Sequence, residues 1–215
     1  MEMTADLFQA MPRDLPLADG AVLLGRFAEP LDKRLLAVIE RVAAAAPFRH
    51  MVTPGGYRMS VAMTNCGKAG WITDRAGYRY EPIDPERGEK WPAMPRVLSD
   101  LAVRAAKAGG FDGFAPDSCL INCYAPGTRL SLHQDRNERD FDAPIVSVSL
   151  GLPAVFLFGG QRRSDRPQRV ALAHGDVVVW GGPARMAFHG VMPLADGEHV
   201  LTGRRRLNLT LRRAL

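Results

Sequence analysis

From residue 118 to residue 213 the chain is cut into short runs of strand-forming residues, and no helical period intervenes. The runs fall at 118–124, 129–133, 144–150, 153–158, 168–173, 176–181, 185–190 and 205–213, with Gly- or Pro-containing turns between most of them. Many short strands at even spacing have few ways to manage their edges, and an antiparallel sandwich or barrel is the usual one. The C-terminal half is therefore expected to form a jelly-roll core over about 116–213.

Upstream the pattern changes. Residues 32–46 (DKRLLAVIERVAAAA) put Leu35, Leu36, Ile39 and Val42 on one stripe, with Asp32 suited to the start and Pro47 just past the end. Arg96–Ala108 repeats the pattern with Leu98, Leu101, Ala102 and Ala105 on one face. Residues 21–27 read as a strand. In residues 49–92, glycines and prolines interleave with Tyr57, Trp71, Tyr78, Tyr80 and Trp91, which suits short strands and turns better than helix. Residues 1–19 read as an N-terminal arm, because Pro12 and Pro16 disfavour regular structure. With no repeat and no linker, residues 20–215 are expected to be one domain of α+β class, mainly β, with two helices packed on the jelly roll.

A net charge of +5 and a pI near 9.4 suit a polyanionic partner such as nucleic acid, although a soluble domain with a basic surface would look the same. Cys66, Cys119 and Cys123 are odd in number and have no further thiols near them, which speaks against a disulfide framework and against structural zinc. The first residues are acidic, and no run of about 18 apolar residues could span a membrane. The expectation is a cytoplasmic protein without a membrane partner, a monomer by default.

The run 129–133 ends on His133, followed by Gln134 and Asp135. Residues i and i+2 of a strand share a face, so this imidazole and carboxylate can approach one metal from the same side. His189 lies on a later run. Two imidazoles and one carboxylate on one face of an octahedron leave positions open for other ligands, the arrangement used by non-haem iron(II) with oxygen. The tripeptide alone is weak evidence, and other metals on a similar barrel would use the same donors.

At the C-terminus, Leu207, Leu209 and Leu211 alternate with Arg206, Asn208, Thr210 and Arg212. A half-exposed strand with a solvated polar face would alternate in this way. So would a clamp for a dicarboxylic acid, since guanidinium binds carboxylate through two parallel hydrogen bonds. In 118–124, Asn122 and Tyr124 share a face with Leu120, and their polar groups need partners if that face points inward.

Together, His133-Gln134-Asp135, His189 and Arg206-x-Asn208-x-x-x-Arg212 resemble the AlkB family of 2-oxoglutarate dioxygenases. The likeness also takes in MVTPGGYRMSVAMTNCG within 48–71, and residues 120–135, 145–160 and 174–182, so that it covers roughly 20–213. The resemblance implies a double-stranded β-helix core holding iron(II) at His133, Asp135 and His189. It implies 2-oxoglutarate held by Asn122, Tyr124, Arg206, Asn208 and Arg212, with Arg206 gripping one carboxylate and Arg212 supporting the other. It further implies that about 49–92 form a nucleotide-recognition lid, with Thr53, Tyr57, Met59, Met63, Trp71 and Tyr78 facing the substrate and Trp71 stacked on a flipped base opposite His133. Arg163 matches a family residue near the base and phosphate.

The implied activity is oxidative removal of alkyl groups from bases such as 1-methyladenine and 3-methylcytosine in single- or double-stranded DNA, or RNA. Formaldehyde, succinate and CO2 are the products, and direct-reversal repair is the role. Two positions depart from the family pattern. Asn137 stands where a carboxylate is expected near the base pocket, which weakens attraction for a cationic methylated base while still offering an acceptor. Cys123 replaces an outward arginine beside Tyr124. A non-catalytic nucleic-acid-binding domain and a dioxygenase acting on protein or small molecules are the alternatives.

Overall fold

The computed structural model describes residues 14–215. In chain order the elements are β1 (Asp14–Ala18), β2 (Ala21–Leu24), α1 (Asp32–Ala45), β3 (Ala62–Gly67), β4 (Gly70–Asp74), β5 (Gly77–Glu81), β6 (Ile83–Asp84), β7 (Glu89–Lys90) and α2 (Arg96–Ala108). Then follow β8 (Ser118–Tyr124), β9 (Leu130–His133), β10 (Ile145–Gly151), β11 (Ala154–Phe158), β12 (Gln168–Leu172), β13 (Val177–Trp180), β14 (His189–Val191) and β15 (Arg206–Arg212). Seven strands form one antiparallel sheet in the order β1-β2-β13-β10-β15-β8-β3, and four form a second in the order β12-β11-β14-β9. This is the expected jelly-roll core. The strand order interleaves distant parts of the chain, so the site between the sheets is assembled from segments that are far apart in sequence.

The larger sheet is covered on both faces. On one side lie the helices: α1 buries Leu35, Val38, Ile39 and Val42, and α2 buries Leu98, Leu101, Ala102, Ala105 and Ala106. They pack with Cys119 and Ile121 of β8, Val146 and Val148 of β10, and Leu207, Leu209 and Leu211 of β15. Each fully buried leucine or isoleucine contributes roughly 2 kcal/mol of transfer free energy. On the other side, facing the four-stranded sheet, a second cluster holds Leu120, Tyr124, Phe156, Phe158, Val170 and Trp180. All seven residues of β15 are buried, so the polar face of Arg206, Asn208, Thr210 and Arg212 is not solvated and the half-exposed alternative is excluded.

Four sequence expectations need correction. Asp14–Ala18, assigned to the arm, is a strand. Pro16 is tolerated because β1 is, among the described residues, an edge strand paired only with β2, and its register shifts between Pro16 and Ala18. Residues 1–13 of the expected arm lie outside the described residues. The segment 49–92 is not one lid: β3 joins the main sheet beside β8, so Met63 is a core residue at 1% exposure. The run 185–190 becomes strand only at His189, after a 3-10 turn at Gly182–Ala184 and the buried Arg185. The strand read at 21–27 stops at Leu24. No helix among the described residues is long and apolar enough to cross a membrane.

Candidate active site

The two histidines meet because β9 and β14 are neighbours in register. His133 pairs directly with His189, and their ring centroids are 4.4 Å apart. The approach depends on Gly190, where an added Cβ would sit 2.7 Å from the Leu130 carbonyl oxygen and push the strands apart. Asp135 lies just past the end of β9, not on it, yet still turns its carboxylate to the imidazoles. Its Oδ1 is 3.8 Å from His133 Nε2 and its Oδ2 is 3.8 Å from His189 Nε2. One donor atom from each of the three residues falls within 4.8 Å of the others.

The backbone chooses the tautomer. His133 Nδ1 is 2.8 Å from the Ser131 carbonyl and His189 Nδ1 is 3.0 Å from the Ala187 carbonyl. A carbonyl only accepts, so each Nδ1 carries the proton and each Nε2 presents a lone pair to the centre. Burial and the neighbouring His133 ring push His189 down to about 4, so it is neutral at physiological pH. Burial would raise Asp135, but the Arg212 guanidinium and the two imidazoles outweigh it and hold the carboxyl below its usual range. An N, N, O⁻ donor set on one face suits a divalent transition metal.

Beside this centre sits an anion trap. Arg206 is 1% exposed, and its Nη2 donates to Ser149 Oγ at 2.8 Å, while Nε and Nη1 have no partner. A buried guanidinium with two unpartnered nitrogens is costly unless an anion completes it. Burial lowers its proton affinity, although the Tyr124 ring, 5.0 Å from Cζ, favours the charge. Asn122 Nδ2 donates to Asn208 Oδ1 at 3.0 Å, and Asn208 Nδ2 to Ser147 Oγ at 2.8 Å, which leaves Asn122 Oδ1 open. Arg212 also holds Asp135: its Nε and Nη2 donate to Asp135 Oδ2 at 2.9 and 2.6 Å, and its Nη1 is unpartnered.

Every candidate metal, cosubstrate and substrate residue read from the sequence lines one cavity of about 970 Å³, whose wall includes Thr53, Tyr57, Met59, Met63, Trp71, Tyr78, Asn122, Tyr124, His133, Asp135, Asn137, Arg163, His189, Arg206, Asn208 and Arg212. At its mouth, Trp71 of β4 and Tyr78 of β5 stack with centroids 5.8 Å apart and planes 22° from parallel. Asn137 joins them, accepting from Trp71 Nε1 at 3.2 Å and donating to the Tyr78 carbonyl at 3.4 Å. Arg163 reaches across to the Leu132 carbonyl at 2.9 Å, and Tyr57 is 78% exposed. Sequence reasoning missed Ser147 and Ser149, although their alternation with Val146 and Val148 on β10 was a usable signal. It also missed Glu138 and Arg185, buried ionic groups that no local pattern marks.

A model of the 2OG-Fe(II) oxygenase superfamily matches residues 20–212. The Escherichia coli alpha-ketoglutarate-dependent dioxygenase AlkB is 59% identical over 210 residues, covering 97% of each chain. A Schizosaccharomyces pombe tRNA demethylase is 32% identical over 67% of this chain and 52% of its own. The solved structure of OsALKBH1 matches with a TM-score of 0.81 at 27% identity, covering 93% of this chain and 99% of that one.

Proposed function

Because this chain belongs to the AlkB branch of the 2-oxoglutarate- and iron(II)-dependent oxygenases, we propose that it dealkylates N-alkylated nucleobases and that the residues lining its cavity carry the reaction. The observation that supports this reading most is the conjunction of three features in one cavity: the His133, Asp135 and His189 donors, the unpartnered guanidinium of Arg206, and the aromatic pair at the mouth.

The residues present fit the metal and the cosubstrate. His133 Nε2, His189 Nε2 and an Asp135 oxygen would hold iron(II). Arg206 would take the distal carboxylate of 2-oxoglutarate through N–H groups that the protein leaves unpartnered, and the spare Nη1 of Arg212 is available to the other carboxylate. Tyr124 and Asn208 wall this part of the cavity. Bound iron(II), with O2 and 2-oxoglutarate, supplies the oxidation that hydroxylates the N-alkyl carbon, which leaves as formaldehyde while the cosubstrate becomes succinate and CO2.

What the protein contributes is placement. A base reaches a buried centre only after leaving its stack, and Trp71 and Tyr78 offer aromatic faces in exchange. Asn137 presents a neutral amide near them, so selection of the base here rests on hydrogen bonding and stacking more than on attraction of a cationic ring. Arg58, Arg129, Arg136 and Arg163 on the cavity wall suit the phosphates of the strand that carries the base.

The test is turnover of oligonucleotides bearing 1-methyladenine or 3-methylcytosine, in DNA and RNA form, with formaldehyde and succinate both measured. Wild-type protein is expected to release both in equal amounts. His133→Ala and Asp135→Ala are expected to bring formaldehyde to background. Normal turnover in either variant overturns the metal assignment. Succinate formation indifferent to any oligonucleotide would instead favour a protein or small-molecule substrate. The RNA arm bears on the S. pombe relative, whose name gives tRNA as its substrate.

A further inference from the structure

The segment Asp135 to Glu138 touches two places at once. At one end Asp135 faces the two imidazoles. At the other end, Glu138 and Asn137 face the β4–β5 hairpin that carries the aromatic pair. Tyr80 of β5 is the direct cross-strand partner of Trp71. Its hydroxyl donates to Glu138 Oε1 at 2.6 Å. Arg212 Nε lies 3.4 Å from that same oxygen, and Arg212 Nη2 donates to Asp135 Oδ2 at 2.6 Å.

A second arm closes the loop. Arg185, 3% exposed, donates from Nη2 to Glu138 Oε2 at 3.1 Å and from Nη1 to the Asp135 main-chain carbonyl at 2.8 Å. Thus Glu138, 5% exposed, is held by two arginines, each of which also holds Asp135. The only neutral partner of its carboxylate among these contacts is the hydroxyl of the hairpin tyrosine. A bond to a buried carboxylate is short and directional, and in a low-dielectric interior such chains act together.

We propose that Tyr80 and Glu138 are positioning residues that couple base binding at the Trp71 hairpin to metal binding at Asp135. The proposal rests on the reading above, in which Trp71 receives the base. A base stacked on Trp71 steadies the hairpin, and Tyr80 then holds Glu138 and, through it, Arg212. With Arg212 steady, the Asp135 carboxylate is kept turned toward the imidazoles before the metal arrives. Linkage requires the converse: bound metal steadies the same chain and tightens the hold on the base by an equal factor. The device would favour a fully assembled centre only when substrate is present.

The experiment measures Mn(II) affinity by calorimetry, with and without a saturating DNA oligonucleotide containing 1-methyladenine. It then measures oligonucleotide affinity with and without Mn(II). In the wild-type protein each ligand is expected to tighten the other about five-fold or more. Tyr80→Phe keeps the ring and removes the donor, and Glu138→Gln keeps the shape and removes the charge. In both, the coupling factor is expected to fall to near one, while Tyr80→Phe binds each ligand alone within about three-fold of wild type. A merely structural role would weaken each ligand separately and leave their ratio unchanged. Coupling that persists at wild-type strength in both variants overturns the proposal, as does wild-type protein that binds the oligonucleotide without altering Mn(II) affinity. Failure of the wild-type protein to bind the methylated oligonucleotide overturns the reading beneath it.

Discussion

The floor and the mouth of the cavity are built on opposite principles. The floor is the inner face of β8, β10 and β15, central strands whose other face is sealed by two helices. Its polar residues, Asn122, Ser147, Ser149, Arg206, Asn208 and Arg212, are all buried and most are tied to one another. The mouth is a two-stranded hairpin, β4–β5, with the loop at 52–58, where Tyr57 and Tyr78 are exposed. A sheet interior fixes a side chain by packing on every side, which suits a small invariant ligand. A hairpin constrains one face only, which suits a large ligand that has to enter and leave.

The contrast breaks most sharply at Arg206. Arg206→Met removes two unpartnered buried donors and a desolvated charge while filling similar volume. Binding of 2-oxoglutarate should weaken at least about 100-fold, as two charge-assisted bonds are lost. The melting temperature of the ligand-free protein should hold or rise, because an unpaired buried charge is itself costly. A large drop in melting temperature with intact 2-oxoglutarate binding would mean that the arginine is structural and the floor is no anion trap.

The buried centre facing that floor should also respond to acid in a way the mouth does not. His189 titrates near 4 in the folded protein, against about 6.5 when unfolded. Its folded value is the lower one, so the metal-free protein prefers the neutral ring and loses stability as protons are supplied. Stability should be full above about pH 6.5 and decline between there and pH 4, by roughly 3 kcal/mol at most. Denaturant titrations across that window should show metal-free wild type losing more stability than His189→Gln as the pH falls. Parallel curves would mean that another group carries the effect.

At the mouth the effects should be smaller and confined to substrate. Trp71→Ala is expected to raise the KM for a methylated oligonucleotide about ten-fold, within the range for loss of one base-stacking contact. The affinity for 2-oxoglutarate should not change. A matching loss of 2-oxoglutarate affinity would show that hairpin and floor are not separable, and that the contrast drawn here is too simple.

The two regions were also unequally legible. On β15 the alternation of Leu with Arg, Asn and Thr is a period-2 pattern, and the strand prediction at 205–213 differs from Arg206–Arg212 only at its ends. The helices 32–46 and 96–108 were readable for the same kind of reason, since an apolar stripe at helical spacing needs no tertiary information. The segment 49–92 carried no such period. Its glycines and aromatics announced turns, but nothing local revealed that β3 leaves the hairpin region and completes the main sheet. Pro16 misled for a related reason, as an edge strand forgives a missing donor and the sequence does not say which strand lies at an edge.

The residue types at 133, 135, 189, 206 and 212, and the alternation that turns the last two to one face, were determined by the sequence alone. They pointed to a metal and a dicarboxylic acid, and the wider family resemblance then named the chemistry. Their division of labour was decided only in three dimensions. Arg206 and Arg212 share a strand face and look equivalent in the sequence, yet one is left with two free donors while the other closes on Asp135. The reason is that a guanidinium takes its role from whichever carboxylate the neighbouring strands bring within reach. Here β9 ends beside one arginine and not beside the other, and no local pattern encodes that distance.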